Sequence, residues 1–155
     1  MREPMLARDA DALIATLSED VVLHSPIIDV PFRGIDEVGD LYRALLEAFD
    51  EFEYGFELDT DEGLAFSWTA LVDGTRAEGV DIVRFDDAGK VSELKVFMRP
   101  LNGIAAFVDA TGPRLGRIRG GRSRAAVMRV FGVPGSAAMR ATAALAPRLL
   151  KLRGR

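Results

Sequence analysis

The residue whose surroundings most strongly suggest chemistry is Asp81, a carboxylate in the otherwise largely apolar segment of residues 79–85. If this segment is a strand, its side chains alternate between two faces, and Asp81 shares a face with Val83 and Phe85. Burial among apolar side chains disfavours a charged carboxylate and raises its pKa, which suits a general acid or base. The pattern therefore predicts Asp81 as a catalytic acid or base. The alternative is a structural Asp81 that pairs with Arg33 or Arg99.

Two cationic or basic side chains are candidates for the same site. His24 is the only histidine and lies at the end of a predicted apolar strand. Because imidazole titrates near neutral pH, His24 is a candidate proton relay, or else a structural histidine bonded to the backbone around Pro26. Arg99 precedes Pro100 at the end of the last predicted strand. It is a candidate anion stabiliser, or the structural partner of Asp81.

Apolar and aromatic side chains around these residues would form the wall of a binding pocket. Aromatic residues at this spacing are often plain core, but buried Tyr42 and Trp68 would need partners for their polar atoms. On the last predicted strand, Val96 and Met98 share a face that is apolar. The ligand is therefore expected to be largely apolar. The candidate substrate-binding residues are Tyr42, Phe66, Trp68, Val83, Val96 and Met98.

The composition argues against several other classes of site. The chain has no cysteine and one histidine, so it lacks thiolate nucleophiles, disulfides and the common zinc ligand sets. The acidic pair Asp86 and Asp87 is typical of a turn rather than of a calcium site. No glycine-rich phosphate loop follows a predicted strand. The sequence predicts neither a metal nor a cofactor.

Helices and strands that would position these residues follow from the periodicity. A helix is predicted for residues 7–18 and a strand for residues 20–25. Asp36 is the predicted N-cap of an amphipathic helix whose apolar positions continue to Phe49. Residues 101–110 are predicted to form a short closing helix.

The middle of the chain has the period of a sheet. Within residues 52–99, apolar and polar side chains alternate, which predicts four antiparallel strands in meander order. Asp73-Gly74 is a typical two-residue hairpin turn. In the first of these strands, Tyr54 and Phe56 are predicted to share a face. Helices followed by an antiparallel sheet indicate the α+β class.

Charge divides the chain into an acidic and a basic part. Residues 113–155 hold 11 of the 20 Lys and Arg and no Asp or Glu, whereas residues 1–112 hold the other 9 against all 24 Asp and Glu. The formal charges are therefore +11 and −15, which sum to the net −4. We predict a folded domain in residues 1–112 and an Arg-rich linker and helical tail in residues 113–155.

The basic tail has several possible partners. Its glycine-rich start predicts a linker over residues 112–121, followed by helices at residues 123–131 and 136–153. The tail could dock on the acidic domain, on an anionic membrane surface or on another partner. Nucleic acid is disfavoured because Phe131 is the tail's only aromatic residue for base stacking. No signal peptide and no apolar run of about 18 residues are present, so a cytoplasmic location is expected.

Four short segments together resemble a known superfamily. They are Asp20-Val-Val-Leu-His24-Ser-Pro, Phe32-Arg-Gly34, Gly79-Val-Asp81-Ile-Val-Arg-Phe85 and Asp87-Ala-Gly-Lys90-Val-Ser-Glu93. In order and spacing they are similar to the nuclear transport factor 2-like superfamily, and within it to the SnoaL-like branch of polyketide cyclase-like proteins. The resemblance implies a cone, in which a curved antiparallel sheet wraps around helices and leaves a pocket on its concave face. It also implies a homodimer.

Such a fold does not by itself select a function, because the superfamily includes isomerases, cyclases, hydrolases, dehydratases and binding domains. The sequence predicts a pocket protein for a small apolar ligand. It could be a cofactor-free isomerase, cyclase or hydratase, with Asp81 as acid or base, His24 as relay and Arg99 as anion stabiliser. The alternative is a non-catalytic binding or interaction module whose basic tail docks on the domain, a membrane or a partner.

Overall fold

One curved sheet and the helices on its inner side make up the fold. The structure, a computed structural model, describes residues 1–61 and 63–150, with the backbone alone for residues 122–133. The helices are α1 (Arg2–Ala7), α2 (Ala10–Ile14), α3 (Gly34–Ala48) and α4 (Leu101–Leu149). The strands are β1 (Leu17–His24), β2 (Phe32–Arg33), β3 (Phe49–Thr60), β4 (Gly63–Val72), β5 (Thr75–Phe85) and β6 (Val91–Arg99).

The sheet has six strands in the order β2-β1-β6-β5-β4-β3. Neighbouring strands are antiparallel except for β1 and β6, which are parallel. Strands β3 to β6 form the predicted meander, and the two ends of the sheet do not meet. The α+β class and the predicted curved sheet around helices are confirmed.

The turn between β4 and β5 matches its sequence signature. Asp73 and Gly74 both adopt positive φ, 46° and 70°, as a two-residue turn with the twist of a hairpin requires. Glycine tolerates this conformation without steric cost, and Asp is one of the few other residues that adopts it readily. The hairpin prediction is confirmed.

Strand β3 differs from the simple alternation. Its pairing with β4 shifts register between Tyr54, which lies opposite Trp68, and Glu57, which lies opposite Phe66. A bulge of this kind moves the following side chains to the other face. Tyr54 packs against Phe66 on the inner face with ring centroids 5.1 Å apart, whereas Phe56 is 55% exposed. The prediction that Tyr54 and Phe56 share a face is wrong.

The N-terminal helix predicted for residues 7–18 is also wrong. Arg8 has a left-handed conformation with φ 55° and ends α1, and Asp9 then caps α2 by accepting a hydrogen bond of 2.9 Å from the Ala12 N–H. Strand β1 begins at Leu17, which pairs with Val91 and is buried. Sheet pairing at this edge overrides the helical spacing of the preceding residues.

Helix α3 is the centre of the core. It begins at Gly34 rather than after Asp36, and Glu37 accepts a 2.9 Å hydrogen bond from the backbone N–H of Arg33. The helix ends where Phe49, also buried, begins β3. The predicted apolar face is confirmed. Its buried residues are Val38, Gly39, Leu41, Tyr42, Ala44, Leu45, Leu46 and Ala48.

Helix α4 is much longer than the predicted closing helix. The predicted linker of residues 112–121 is helical apart from Gly120 and Gly121, so that prediction is wrong. Gly121 has φ 70°, which favours glycine, and the chain changes direction there. Ala105, Ala106 and Ala110 of α4 are buried, and packing of this kind stabilises a helix despite poor local composition.

The remaining tail predictions are only partly covered by the described residues. Both predicted tail helices fall within α4 up to Leu149, but residues 151–155 lie outside the described part of the chain. The predicted domain boundary between residues 112 and 113 falls inside α4. Among the described residues, no helix carries an apolar stretch long enough to cross a membrane.

Candidate functional site

A cavity of about 550 Å³ lies between the inner face of the sheet, α3 and the first part of α4. A volume of this order is typical of pockets for small organic ligands. Most of its lining is apolar, and the side chains with polar atoms are few. The apolar wall includes Leu41, Leu45, Phe49, Phe52, Val96 and Leu115. The polar groups used below are Tyr42, Tyr54, Trp68, Asp81 and Arg119.

Asp81 lies in the middle of β5, opposite Phe66 of β4 and Val96 of β6. Its side chain points to the cavity, where the indole N–H of Trp68 donates a hydrogen bond of 2.8 Å to Oδ1. Burial raises the pKa of Asp81 to about 7, although the Trp68 hydrogen bond acts in the opposite direction. Both protonation states are therefore populated near neutral pH, as an acid or base requires.

Two tyrosines lie near this carboxyl group. Tyr42 of α3 is 5% exposed, and burial together with the charge of Asp81 holds its pKa well above the ordinary value. Burial also raises the pKa of Tyr54, with a further contribution from Asp81. Both phenols therefore stay neutral at pH 7 and can donate hydrogen bonds. The inner face thus combines one titrating carboxyl group with neutral donors.

Four of the six predicted substrate-binding residues line this cavity. They are Tyr42, Phe66, Trp68 and Val96. Val83 shares the face of Asp81 as predicted, but it is 1% exposed and packs in the core outside the cavity lining. Phe85, predicted to lie on the same face, follows a register shift in the pairing with β6 and is 45% exposed. Met98 lies beside a second depression, which does not include Asp81. Val83 and Met98 are therefore not part of the cavity lining.

His24 lies on the opposite face of the sheet from Asp81. Leu23 takes the inward position and lines the cavity, so the next side chain of β1 points outward. The His24 Nε2 atom lies 3.1 Å from Oε1 of Glu93. Burial raises the pKa of Glu93, but the Lys95 hydrogen bond and nearby cations lower it overall. The structure does not bring His24 to Asp81, contrary to the expectation of a pocket relay.

Arg99 also points away from the cavity. Its Nη1 atom lies 2.6 Å from Oε1 of Glu78, its register partner on the outer face. Arg33 leads into α3, where its backbone N–H bonds Glu37. Trp68 is the partner of Asp81, so the predicted pairing with Arg99 or Arg33 is wrong. Side chains alternate along β5, so residues 78 and 81 lie on opposite faces of the sheet. Arg99 is the register partner of Glu78 and therefore lies on the face opposite Asp81.

The cavity wall formed by α4 was not found by sequence reasoning. Val108, Thr111, Leu115 and Arg119 recur at helical spacing and all line the cavity. The spacing was a usable signal, but Gly112, Pro113 and Gly116 among these residues suggested a linker instead. Tyr54 was missed as a site residue because simple alternation grouped it with exposed Phe56.

Arg119 connects this wall to α3. Its Nε atom donates a hydrogen bond of 3.2 Å to Oδ2 of Asp40, and its Nη2 atom donates one of 3.0 Å to the carbonyl oxygen of Glu37. The guanidinium also lies 5.7 Å from the centre of the Phe32 ring. The Arg119 side chain is 27% exposed and lines the cavity, so it lies where the cavity meets solvent.

Metal chemistry has no evident ligand set at this site. Across residues 1–61 and 63–150, no group of three or more His, Asp or Glu is arranged to hold a metal ion. The cavity offers one carboxyl group, two phenols, an indole, the hydroxyl groups of Ser25 and Thr111, and the guanidinium of Arg119.

The fold and site define an α+β pocket protein with a carboxyl group inside a largely apolar cavity. Residues 3–94 match the SnoaL-like domain, and this match covers more than half of the chain. The chain therefore belongs to the SnoaL-like family, and the predicted resemblance is confirmed. No curated protein matches it.

Several solved structures share the fold. The chain is similar to a steroid delta-isomerase from Pseudomonas aeruginosa, with 28% identity, a TM-score of 0.66, and coverage of 76% of this chain and 84% of that one. An uncharacterised protein with a cystatin-like fold from Silicibacter pomeroyi has 26% identity, a TM-score of 0.71, and coverage of 80% and 90%.

A third neighbour is more distant. It is an epoxide hydrolase/cyclase-like enzyme of pyran ring formation in the polyether salinomycin, with 18% identity, a TM-score of 0.56, and coverage of 63% and 83%. At this identity the likeness concerns the fold alone.

Proposed function

We propose that this protein binds a small, largely apolar ligand in the cavity and isomerises it by proton transfer through Asp81, without a cofactor. The observation that carries the proposal is the carboxyl group of Asp81 in an apolar cavity, bonded by Trp68 and with a pKa of about 7. A carboxylate in such a site is a stronger base than one in water. Similarity to a steroid delta-isomerase supports isomerisation over hydration.

The proposed reaction needs only groups of this chain. The ligand in this reaction carries a C=C bond in the β,γ position to a carbonyl group. The Asp81 carboxylate takes a proton from the carbon between these two groups, and the electron pair of that C–H bond forms a dienolate, whose γ carbon can accept the proton. A neutral phenol, Tyr42, donates a hydrogen bond to the enolate oxygen. Protonated Asp81 then returns the proton to a different carbon, which moves the double bond and restores the carboxylate.

The roles predicted for His24 and Arg99 are replaced in this proposal. Both side chains pair with glutamates on the outer face of the sheet. Tyr42 takes the place of Arg99 as stabiliser of negative charge. The proton has no separate relay, because Asp81 itself carries it between the two carbons.

The basic tail has a smaller part in this function. Arg114 and Arg117 of α4 pair with Glu47 of α3, and Arg140 lies 2.7 Å from Asp109 across the break at Gly121. These pairs use cations that an anionic membrane would need, so they support docking of the tail on the acidic domain. We therefore favour docking on the domain over the predicted membrane surface.

A homodimer through the outer face of the sheet is part of the proposal. Phe97 and Ile82 are 57% and 42% exposed on neighbouring strands of that face. Sedimentation equilibrium would test it, because Phe97→Glu is expected to shift the protein to a monomer. An exposed apolar residue of α4, Leu145, offers a control in Leu145→Glu. If both substitutions shift the protein to a monomer, or if neither does, the proposed dimer through the outer face is contradicted.

The catalytic proposal is tested with a β,γ-unsaturated ketosteroid, whose conversion to the conjugated enone is followed by ultraviolet absorption. We expect Asp81→Asn to lower kcat/KM by about 100-fold to 10,000-fold, the range for a general acid or base. An Asn side chain can still accept the Trp68 hydrogen bond. Glu78→Gln, on the outer face of the same strand, is the matched control and should stay within about twofold of wild type, since its side chain is remote from the cavity.

Two results would count against catalysis. Equal activity in wild type and Asp81→Asn would show that Asp81 is not the acid or base. Absence of turnover, combined with a co-purified apolar molecule in native mass spectrometry, would favour the alternative of a non-catalytic binding protein.

A further inference from the structure

Helix α4 forms one wall of the cavity. Val108, Thr111, Leu115 and Arg119 face the cavity on successive turns of this helix. All of them lie beyond residue 94, where the match to the SnoaL-like domain ends. The extent of the cavity on this side is therefore set by residues outside the family match.

Apart from Arg119, which lies where the cavity meets solvent, the α4 wall presents an apolar surface, even at the polar residue Thr111. The Thr111 hydroxyl donates a hydrogen bond of 2.7 Å to the carbonyl oxygen of Phe107, one turn earlier in the helix. Its hydrogen-bonding demand is met within the helix, and its methyl group is left for contact with a ligand. This wall therefore fits a hydrocarbon surface, whereas Asp81 and Tyr42 offer hydrogen bonds elsewhere in the cavity.

Gly112 lies in this wall, and nothing in the helix requires a glycine there. A Cβ atom at Gly112 would meet no atom within 4 Å, and its φ is not positive. At Gly103 of the same helix, by contrast, a Cβ atom would come within 2.9 Å of the Arg76 carbonyl oxygen. A glycine inside a helix lowers its stability relative to alanine. Close packing therefore requires a glycine at position 103, whereas no packing contact requires one at position 112, which lies beside the cavity.

We propose that Gly112 determines how large a ligand the cavity accepts, by leaving room along α4 for the ligand's apolar body. This inference rests on the proposed binding function. The ligand class is an elongated apolar molecule with a carbonyl group, which meets Asp81 and Tyr42 while the hydrocarbon part packs on α4. A larger side chain at position 112 would take up that space without disturbing the backbone.

The test uses 2-alkanones of increasing length, from hexan-2-one to dodecan-2-one, as ligands that displace fluorescent N-phenyl-1-naphthylamine. In the wild type, affinity should increase with each added methylene up to the longest ketones. In Gly112→Phe, affinity for dodecan-2-one should fall at least tenfold, and affinity for hexan-2-one should stay within about twofold. Retained binding of the short ketone shows that the site around Asp81 is intact.

Gly135→Phe is the matched control. Gly135 lies in the same helix and is exposed, and a Cβ atom there would likewise meet nothing within 4 Å, but this residue does not line the cavity. The variant should bind every ketone as the wild type does. If circular dichroism shows that Gly112→Phe is unfolded, Gly112→Val carries the test, with a smaller loss confined to the longest ketones.

The outcomes separate this inference from the proposed function. Equal affinity of Gly112→Phe and Gly135→Phe for dodecan-2-one would overturn the role of Gly112 while leaving ligand binding intact. The role of Gly112 would also be overturned if the wild type binds the probe but its affinity for the ketones does not increase with their length. A wild type that binds neither probe nor ketone would overturn the proposed binding function, and this inference with it.

Discussion

Strand β5 carries two carboxyl groups, one on each face of the sheet, and their surroundings differ completely. Asp81 faces the cavity and is bonded by the uncharged Trp68 N–H at 2.8 Å. Glu78, three residues earlier, faces outward and pairs with Arg99 at 2.6 Å. One group is removed from water without a cation, while the other keeps a cation and partial access to solvent. Removal from water raises the pKa of Asp81 to about 7.

The same division applies to the sheet as a whole. The outer face holds the cluster in which Glu93 lies near His24, Arg84 and Lys95. Among the described residues of the sheet, none that lines the cavity is a cation. Desolvation therefore outweighs attraction on the inner face, whereas ion pairing prevails on the outer face. A catalytic role is therefore expected for Asp81 on the inner face rather than for the ion-paired carboxylates of the outer face.

The largest effect should be on how the free energy of unfolding depends on pH, which is expected to differ between the wild type and Asp81→Asn. The folded-state pKa of Asp81 is about 7 against an ordinary value of 3.8. Since the folded state holds the proton more tightly, the wild type loses stability as pH rises from about 4 to 7, and the loss is complete above 7. At 1.36 kcal/mol per pKa unit, the cost is roughly 4 kcal/mol. Urea denaturation between pH 4 and 8 measures it.

Asp81→Asn cannot ionise and should not show this loss. Its free energy of unfolding is expected to equal that of the wild type near pH 4 and to be higher by up to roughly 4 kcal/mol at pH 8. Glu78→Gln is the control on the outer face and should follow the wild-type profile. If the free energies of unfolding of the wild type and Asp81→Asn change with pH in parallel, burial of Asp81 on the inner face does not destabilise its charged form, and the proposed difference between the two faces is contradicted.

A smaller effect is expected from Trp68→Phe, which keeps an aromatic ring but removes the N–H that bonds Asp81. Loss of a hydrogen bond to a charged group should cost about 1.5–3 kcal/mol at pH 8 and less at pH 5, where Asp81 is mostly protonated. The Trp68 bond lowers the pKa of Asp81, so its removal should raise that pKa further. Carboxyl-carbon NMR titration measures the shift. Phe52→Leu, an apolar substitution at the same cavity wall, is the control and should leave the titration unchanged.

The smallest effects should come from the outer face. Arg99→Ala removes one partner of the ion pair with Glu78, and His24→Asn removes the side chain that contacts Glu93; the exposures of the Arg99 and His24 side chains are 75% and 39%. Such pairs contribute about 0–1 kcal/mol, and less at high salt. Turnover of the ketosteroid should stay within about twofold of wild type. A hundredfold loss in either variant would show that the outer face takes part in the chemistry after all.

Local sequence patterns predicted much of the fold for identifiable reasons. The Asp73-Gly74 turn uses backbone conformations that few residues adopt, so its two residues are a strong signal. Helix α3 was recognised from its apolar face, although its start was displaced because Gly34 rather than Asp36 begins the helix. The long extent of α4 was missed because Gly112 and Pro113 usually end a helix.

The candidate site was predicted in its central residue and not in its surroundings. Alternation along β5 set Asp81 and Val83 on one face, and that relation is present in the structure. It did not show that Trp68 would be the partner of Asp81, because that contact joins two strands across their register. Nor did it show that Leu23 rather than His24 would face inward.

By itself, the sequence determined which residues alternate, where the tight turns lie, which family the chain belongs to and that Asp81 is the carboxyl group to consider. These properties depend on local backbone preferences and on period, which neighbouring residues carry. Tertiary structure alone decided which face became concave, how the bulge in β3 turned Tyr54 inward and Phe56 outward, and how far α4 extended. Those outcomes depend on contacts between distant segments, because burial, and not local periodicity, decides which of two faces is removed from water.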